Sequence, residues 1–504
     1  MVKGSGEKID AVALRGVQKV WIWDSYVMAK ISWMLLIHDI SPTFVKNVLQ
    51  PVQTRWFKSW LGYPRTGNTS IFYRSNAHHG LQLKEMVSWH KQNRLIRRHI
   101  LESSQDAQVK AIHASLAKKQ RDSHAREWKD CNEIESLKQV VLFEKIRGPL
   151  KQDGVGLGWG SRVRKKLSAE KEERQAILRI FKEIKEEERV TSVITNLQHF
   201  GEWVKWEAAM QLDRRWHCLL AYESDASIRF RLCATEDMLP TPSNLKRWGQ
   251  GDGMCPLGCK ATGSLRHLLC GCSLDEKPQS RITWRHDSVL FAIFRGVLAV
   301  VNRSKNSQSE ERLGRKSTPR PPISFKSESD TKFTAVRAPK VTELLATAMD
   351  WKLQFDIHAP SHHQEKDRIF PSEIVEDSKR PDGVIWSCSS KIVIWIELTC
   401  PWEENMTIRH AQKKSSYNQL RINCEAKGWK VYPLCVEVGC RGHVAQSFHY
   451  MCKVLGFTKA EEKELKFCLE KTAQHCSHAI FVHRYVKQWE QKPLLDISKW
   501  SGHQ

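Results

Sequence analysis

KRPDGVIWSCSSKIVIWIELTCPW, residues 379–402, holds the pattern that decides the fold. GVIWSC (383–388) and KIVIWIELT (391–399) are short apolar runs rich in β-branched and aromatic residues, and Ser389-Ser390 between them marks a turn. They predict two buried strands joined as a hairpin. Asp382 opens the first and Glu397 ends the second, so the hairpin brings two carboxylates to one edge of a sheet. Such a pair can hold Mg²⁺ between protein and phosphate. The cation would lower the pKa of a water and stabilise charge on phosphate oxygens. Thr399, two residues past Glu397, falls on the same face of its strand. On the following segment Lys413 and Tyr417 are four apart and share a helix face, so that lysine can orient a water or neutralise charge on the phosphorus. The blander alternative has Asp382 capping a turn and Glu397 pairing with a lysine. Against it, Glu397 follows five apolar residues, and a carboxylate at a buried edge is costly without a partner.

Working outward, VTELLATAMDWKLQFDI (341–357) suits a helix, 404–427 suits one long helix ended by Gly428, and WKVYPLCVEVG (429–439) suits a third strand. Two or three helices finish the chain. The alternation predicts a compact C-terminal α/β domain over 336–504. Before it, 301–335 is polar and rich in Pro and Ser, too poor in apolar residues to fold, and reads as a disordered linker. The region 251–300 reads as a small CCHC knuckle and a following helix: Cys255, Cys259, His267 and Cys272 give C-x3-C-x7-H-x4-C, suited to tetrahedral zinc. Gly258, Gly263 and Gly271 allow tight turns around an ion, and Cys270 competes with Cys272 as fourth ligand, the x4 spacing favouring Cys272.

The N-terminal half reads as mostly α. Over 1–150, Trp21, Trp23, Tyr26, Met28, Ile31, Met34 and Leu35 recur at helical spacing, with a break at Pro42. In QTRWFKSWLGYPRTG (53–67), aromatic and basic residues interleave. They either stack on and grip nucleic acid, or form a core face of Trp56, Trp60 and Leu61 with Arg55 and Lys58 solvated. The region 151–250 reads as a helical connector: a Gly-rich break at 149–164 without the Lys-Ser or Lys-Thr of a phosphate loop, a charged helix over 166–190 with a solvated face, then a segment with Trp203, Trp206 and Trp216 as packing candidates.

The chain has 504 residues, 80 Lys and Arg against 56 Asp and Glu, and a formal charge of +24. That excess favours polyanions, DNA or RNA, through counterion release. Fifteen cysteines, mostly isolated, do not make a small disulfide framework and suit a reduced compartment. The start lacks an apolar signal core, and SYVMAKISWMLLIHDI (25–40) reads as too short and too polar for a membrane span. Basic runs such as RVRKKL (162–167) agree with a nuclear location.

Arg380-Pro381-Asp382, Glu397-Leu398-Thr399, Pro401-Trp402-Glu403, Lys413-x3-Tyr417 and PLCVEVGCRG (433–442) together resemble the restriction-like endonuclease domain of site-specific non-LTR retrotransposons, a branch of the PD-(D/E)XK nuclease superfamily. SLRHLLCGC (264–272) and TWRHDSVL (283–290) resemble the knuckle just upstream in the same reverse-transcriptase polyproteins. WMLLIHDISPTFVKNVLQ (33–50), TRWFKSWLGYPRT (54–66) and GVGLGWGSR (154–162) resemble their thumb, linker and connector. The resemblance implies Asp382 and Glu397 as magnesium ligands, Lys413 as catalytic lysine and Tyr417 as its support. Thr399 stands where many superfamily members carry their lysine, and Ser416 where the family often has a second one. It implies a Mg²⁺-dependent endonuclease that nicks DNA, with structural Zn²⁺, a nuclear setting, RNA as a further ligand, no membrane, and a reverse-transcriptase partner or parent polyprotein. The alternative is a nucleic-acid-binding remnant or host-adopted derivative without turnover. No Asp-Asp pair occurs, so polymerisation by this chain alone is not expected.

Overall fold

The computed structural model describes residues 2–38, 40–119, 169–196, 201–212, 216–275, 280–312, 344–357, 370–490 and 492–496. The Gly-rich stretch 149–164, the basic run 162–167 and most of the expected linker lie outside them. The chain divides into two compact units, Met1–Gly201 with Arg214–Arg229, and Glu202–Asp213 with Phe230–Gln504.

The first unit is helical among its described residues. Trp23 and Phe57 meet edge to face, as do Phe57 and Phe72, and Trp56 stacks on Trp60 at 5.4 Å. Trp56, Trp60 and Leu61 are buried and Arg55 is exposed, so the aromatic residues of this segment are core and not a base-stacking surface. The helical run Gly16–Ile37 begins earlier than the apolar stretch read from the sequence. At 22 residues it is, by length and composition, long and apolar enough to cross a membrane. Here its Val17, Val20, Trp23, Met28, Ile31 and Leu35 face is buried in the unit. The charged helix Ala169–Asn196 is more than a solvated face: Glu186 accepts from the Ser75 amide at 2.8 Å, and Arg189 pairs with Glu85 at 2.7 Å.

The second unit is built on one mixed four-stranded sheet in the order β1-β2-β3-β4: Lys352–Phe355, Gly383–Ser387, Ile392–Thr399 and Lys430–Glu437. β2 and β3 are the predicted antiparallel hairpin, and β4 runs parallel to β3. The apolar run of β3 reflects burial on both faces. Ile394, Ile396 and Leu398 enter a core with the helices Arg281–Arg312, Gln446–Leu455 and Lys459–Val482. Val393 and Trp395, with Val384 and Trp386, face Tyr417, Leu420 and Trp429.

Four expectations are corrected. Residues 344–357 are a short 3-10 turn followed by β1, not a helix, because Lys352–Phe355 gains an antiparallel partner in β2 that no local period reveals. The expected long helix 404–427 is two helices, Met406–Ser416 and Asn418–Ala426, broken at Tyr417, whose buried ring belongs to the Trp395 core. The helix Arg281–Arg312 extends into the segment read as linker and belongs to the α/β core, since Val289, Ile293, Val297 and Val301 are buried there. The expected 151–250 connector is split as well: Glu202–Asp213 joins the second unit, where Met210 donates its amide to the Val444 carbonyl at 2.7 Å.

A buried clamp fastens this junction. The Arg441 guanidinium lies 3.5 Å from the Trp402 ring and 4.0 Å from the Trp206 ring, and its Nε donates to Glu403 Oε2 at 2.6 Å. Glu403 Oε1 accepts the Arg441 amide at 2.7 Å. A Cβ on Gly439 would come 2.4 Å from that carboxylate, so the turn requires glycine. The Pro401-Trp402-Glu403 and Cys440-Arg441-Gly442 motifs thus meet as a structural staple. Breaking a buried ion pair leaves an uncompensated charge. Glu403→Gln is expected to cost about 3 kcal/mol by denaturant unfolding; an unchanged midpoint would show that the clamp is energetically idle.

Candidate functional site

The hairpin register sets the acid pair. Gly383 pairs with Ile396, so the next step outward places Asp382 opposite Glu397, and directly opposite residues of an antiparallel pair share a face. The Asp382 amide donates to Glu397 Oε2 at 3.4 Å, and Asp382 Oδ2 accepts the Leu398 amide at 2.7 Å. In the parallel β3–β4 register Glu397 lies beside Cys435 and Thr399 beside Glu437. Asp382, Glu397, Thr399 and Glu437 therefore occupy the sheet face that carries Trp395 and Tyr417.

The helix Met406–Ser416 covers these strand ends. Of its residues after Met406, only His410 and Lys413 escape full exposure, and with buried Met406 and Tyr417 they make its underside at helical spacing. Lys413 Nζ donates to Glu397 Oε1. The lysine neighbour expected for the site and the bland pairing of Glu397 with a lysine are the same contact. The Tyr417 hydroxyl donates to the Arg380 carbonyl at 3.1 Å and also acts on the Glu397 carboxylate. Burial and the Asp382 charge push Glu397 up, against Lys413 and Tyr417. Thr399 Oγ1 is buried without a hydrogen-bond partner on this same face.

One participant was visible in the sequence only as part of the RHD string. His286, on the helix Arg281–Arg312, places Nε2 3.4 Å from Asp382 Oδ2 and 3.2 Å from the Leu398 carbonyl, while Nδ1 lies 3.0 Å from Asp287 Oδ1. Burial alone would lower its pKa, but the Asp382 charge and the hydrogen bonds to Asp287 and Asp382 outweigh it and hold it well above the ordinary histidine value. No spacing rule could have joined residue 286 to residue 382.

The preceding residue ties the same helix to the knuckle. Arg285 is fully buried; it donates to the Leu269 carbonyl at 2.9 Å, the Cys400 carbonyl at 3.3 Å and Ser477 Oγ at 3.1 Å. The knuckle itself forms as its spacing predicts. Cys255, Cys259, His267 and Cys272 offer four ligand atoms all within 4.8 Å of one another, with Cys255 Sγ 3.9 Å from Cys272 Sγ and Cys259 Sγ 3.1 Å from His267 Nε2. This Cys3His set can hold a metal such as zinc. In a tetrahedral site with Zn–S bonds of about 2.3 Å, ligand atoms stand a little under 4 Å apart, so little adjustment is needed. Without a cation, burial and the neighbouring thiols leave Cys272 pushed up to about 12. Gly258 turns the loop at φ +91°, whereas Gly271 lies outside the positive-φ region and meets no steric demand. Cys270 points away from the cluster, toward the Cys400 carbonyl and Arg285, leaving Cys272 as the fourth ligand.

No protein-family model matches the chain, and neither does any curated protein.

Proposed function

We propose that the second unit is a metal-dependent DNA endonuclease that nicks its target, descended from a non-LTR retrotransposon polyprotein and working in the nucleus, with a structural zinc knuckle that helps position nucleic acid. The observation that carries this reading is the convergence of Asp382 and Glu397 on one strand-end face beneath Lys413.

The donors fit a hard divalent cation: two carboxylates on adjacent strand ends, and an unsatisfied Thr399 hydroxyl two residues further along. When bound, Mg²⁺ there would activate a water and screen charge on the phosphate. The protein's own groups do the rest. Leu398 and His286 fix Asp382; Tyr417 and Lys413 act on Glu397. Lys413, more than a third exposed, would reach a phosphate oxygen with its ammonium if Glu397 were committed to a cation. The +24 charge supplies the attraction for DNA. Cys255, Cys259, His267 and Cys272 would hold Zn²⁺ with no open position, as structural sites do.

The test is nicking of supercoiled plasmid by the purified chain with Mg²⁺ or Mn²⁺. The wild type is expected to relax the plasmid, and the Asp382→Ala, Glu397→Ala double variant to leave it intact; equal nicking by both rejects the assignment. A second reading, a nucleic-acid binder without turnover, is favoured by the direct Lys413–Glu397 ion pair, which seats an ammonium where a cation would go. It predicts salt-sensitive binding and no metal-dependent cleavage.

A further inference from the structure

A second carboxylate and imidazole lie on the acid-pair face outside the set already assigned. Glu437 ends β4 and is 2% exposed. Its Oε1 lies 3.1 Å from His410 Nδ1, and its Oε2 accepts from Ser447 Oγ at 2.6 Å. Both carboxylate oxygens are thereby committed, and Glu437 is fixed from two sides. A buried carboxylate held this way orients whatever ring it grips and fixes which nitrogen stays available.

That ring is poised toward the open side. His410 is 40% exposed, and its Nδ1 is occupied by Glu437, so Nε2 is the nitrogen left for proton exchange. His410 precedes Lys413 by three residues on the helix underside, and the two reach down to adjacent strands: Lys413 to Glu397 on β3, His410 to Glu437 on β4. The register sets Glu437 beside Thr399, two residues along from Glu397. The groups facing His410 are therefore Glu437 from the sheet and Lys413 on its own helix. A phosphodiester lying over Asp382 and Glu397 under this helix has Lys413 at one position and an orientable imidazole one turn away.

We propose that His410, held by Glu437, is the general acid of the cleavage, an assignment that rests on the endonuclease reading. Water oxygen bonds to phosphorus, and the bond from phosphorus to the departing sugar oxygen breaks. The electron pair goes to that oxygen, which takes the proton from His410 Nε2. The attacking water loses its proton to solvent, and the imidazole regains one there. The net change is one phosphodiester and one water giving a phosphate monoester and an alcohol. Glu437 is a positioning residue.

The experiment compares full-length wild type, His410→Ala and Glu437→Gln on a duplex with a normal linkage, and on duplexes whose 3′ or 5′ bridging oxygen at the cleaved position is sulfur. A thiolate leaves without protonation, so general-acid loss is invisible on the sulfur substrate that matches the bond cut. His410→Ala is expected to lose about 10²-fold or more on oxygen and no more than a few-fold on that sulfur substrate. Duplex affinity measured in Ca²⁺ is expected to stay unchanged, and melting temperature is recorded to show that each variant is folded at the assay temperature, because removing His410 leaves the buried Glu437 carboxylate short of one partner. Glu437→Gln is expected to fall between wild type and His410→Ala on oxygen and to be rescued by sulfur alike. An equal loss on both substrates, or no loss on either, overturns the role. A wild type that cuts nothing fails instead at the endonuclease reading and takes the assignment with it.

Discussion

Protein carrying Cys259→Ser is expected to lose its stoichiometric zinc and to melt at least about 10 °C below the wild type, a loss of roughly 4 kcal/mol for a unit of this size. A closed structural zinc site binds with about 10–16 kcal/mol of apparent free energy, and that binding is folding free energy because the site does not exist in the unfolded chain. Here the four ligand atoms already lie within 4.8 Å of one another, so a cation would be held with little rearrangement. The effect will not stay local. Leu269, inside the knuckle, is hydrogen-bonded to Arg285, which also holds the Cys400 carbonyl just after β3 and Ser477 on the last long helix. His286, next in sequence, contacts Asp382. Chelation of the wild type should therefore lower melting and plasmid nicking together. Cys270→Ser is the control: it lies outside the ligand set and should keep its zinc. Metal content by mass spectrometry and melting by calorimetry decide the matter. Unchanged zinc and melting in Cys259→Ser, or lost zinc in Cys270→Ser, would remove the assignment.

Asp382→Asn should slow metal-dependent nicking by about 10³-fold, some 4 kcal/mol of barrier, while the protein stays folded. The substitution is selective because of where each oxygen goes. Asp382 Oδ2 accepts the Leu398 amide, and an asparagine oxygen can do the same, so the strand end keeps its shape. What is lost is the negative charge that faces His286 and that, in the proposed function, would share a cation with Glu397. Lys413→Met should slow nicking by about 10²-fold, the scale of removing one donor to a charged transition state. Tyr417→Phe, which removes the hydroxyl from the Arg380 carbonyl and from Glu397, should have a smaller effect. Initial rates at saturating Mg²⁺, with melting as the folding check, separate these outcomes. A folded Asp382→Asn variant that nicks at the wild-type rate would mean the acid pair does not carry the chemistry.

Much of the second unit was readable because its signals are local. The hairpin follows from two β-rich runs around Ser389-Ser390, and once antiparallel pairing is accepted the approach of Asp382 and Glu397 follows from register alone. The knuckle follows from ligand spacing. β1 was missed because KLQF has no period that distinguishes an edge strand from a helix start. The split at Tyr417 was missed because a helical pattern does not show that one of its residues is drawn into the Trp395 core. His410 and Glu437 were passed over because they are distant in sequence and become neighbours only when β4 lies parallel to β3.

By itself, then, the sequence determined the charge, the two central strands, the cluster of three cysteines and a histidine that could hold a metal, and the proximity of the two acids, all of which rest on periodicity, turn chemistry or short spacing. Tertiary packing alone decided that the helix after the knuckle enters the α/β core, that Arg285 and His286 bind the knuckle and the acid pair to one element, and that the Met406–Ser416 helix turns Lys413 and His410 onto the strand ends. The physical reason is that contacts between residues a hundred positions apart are fixed by which faces must be buried together, and burial is a property of the assembled layers rather than of any one segment.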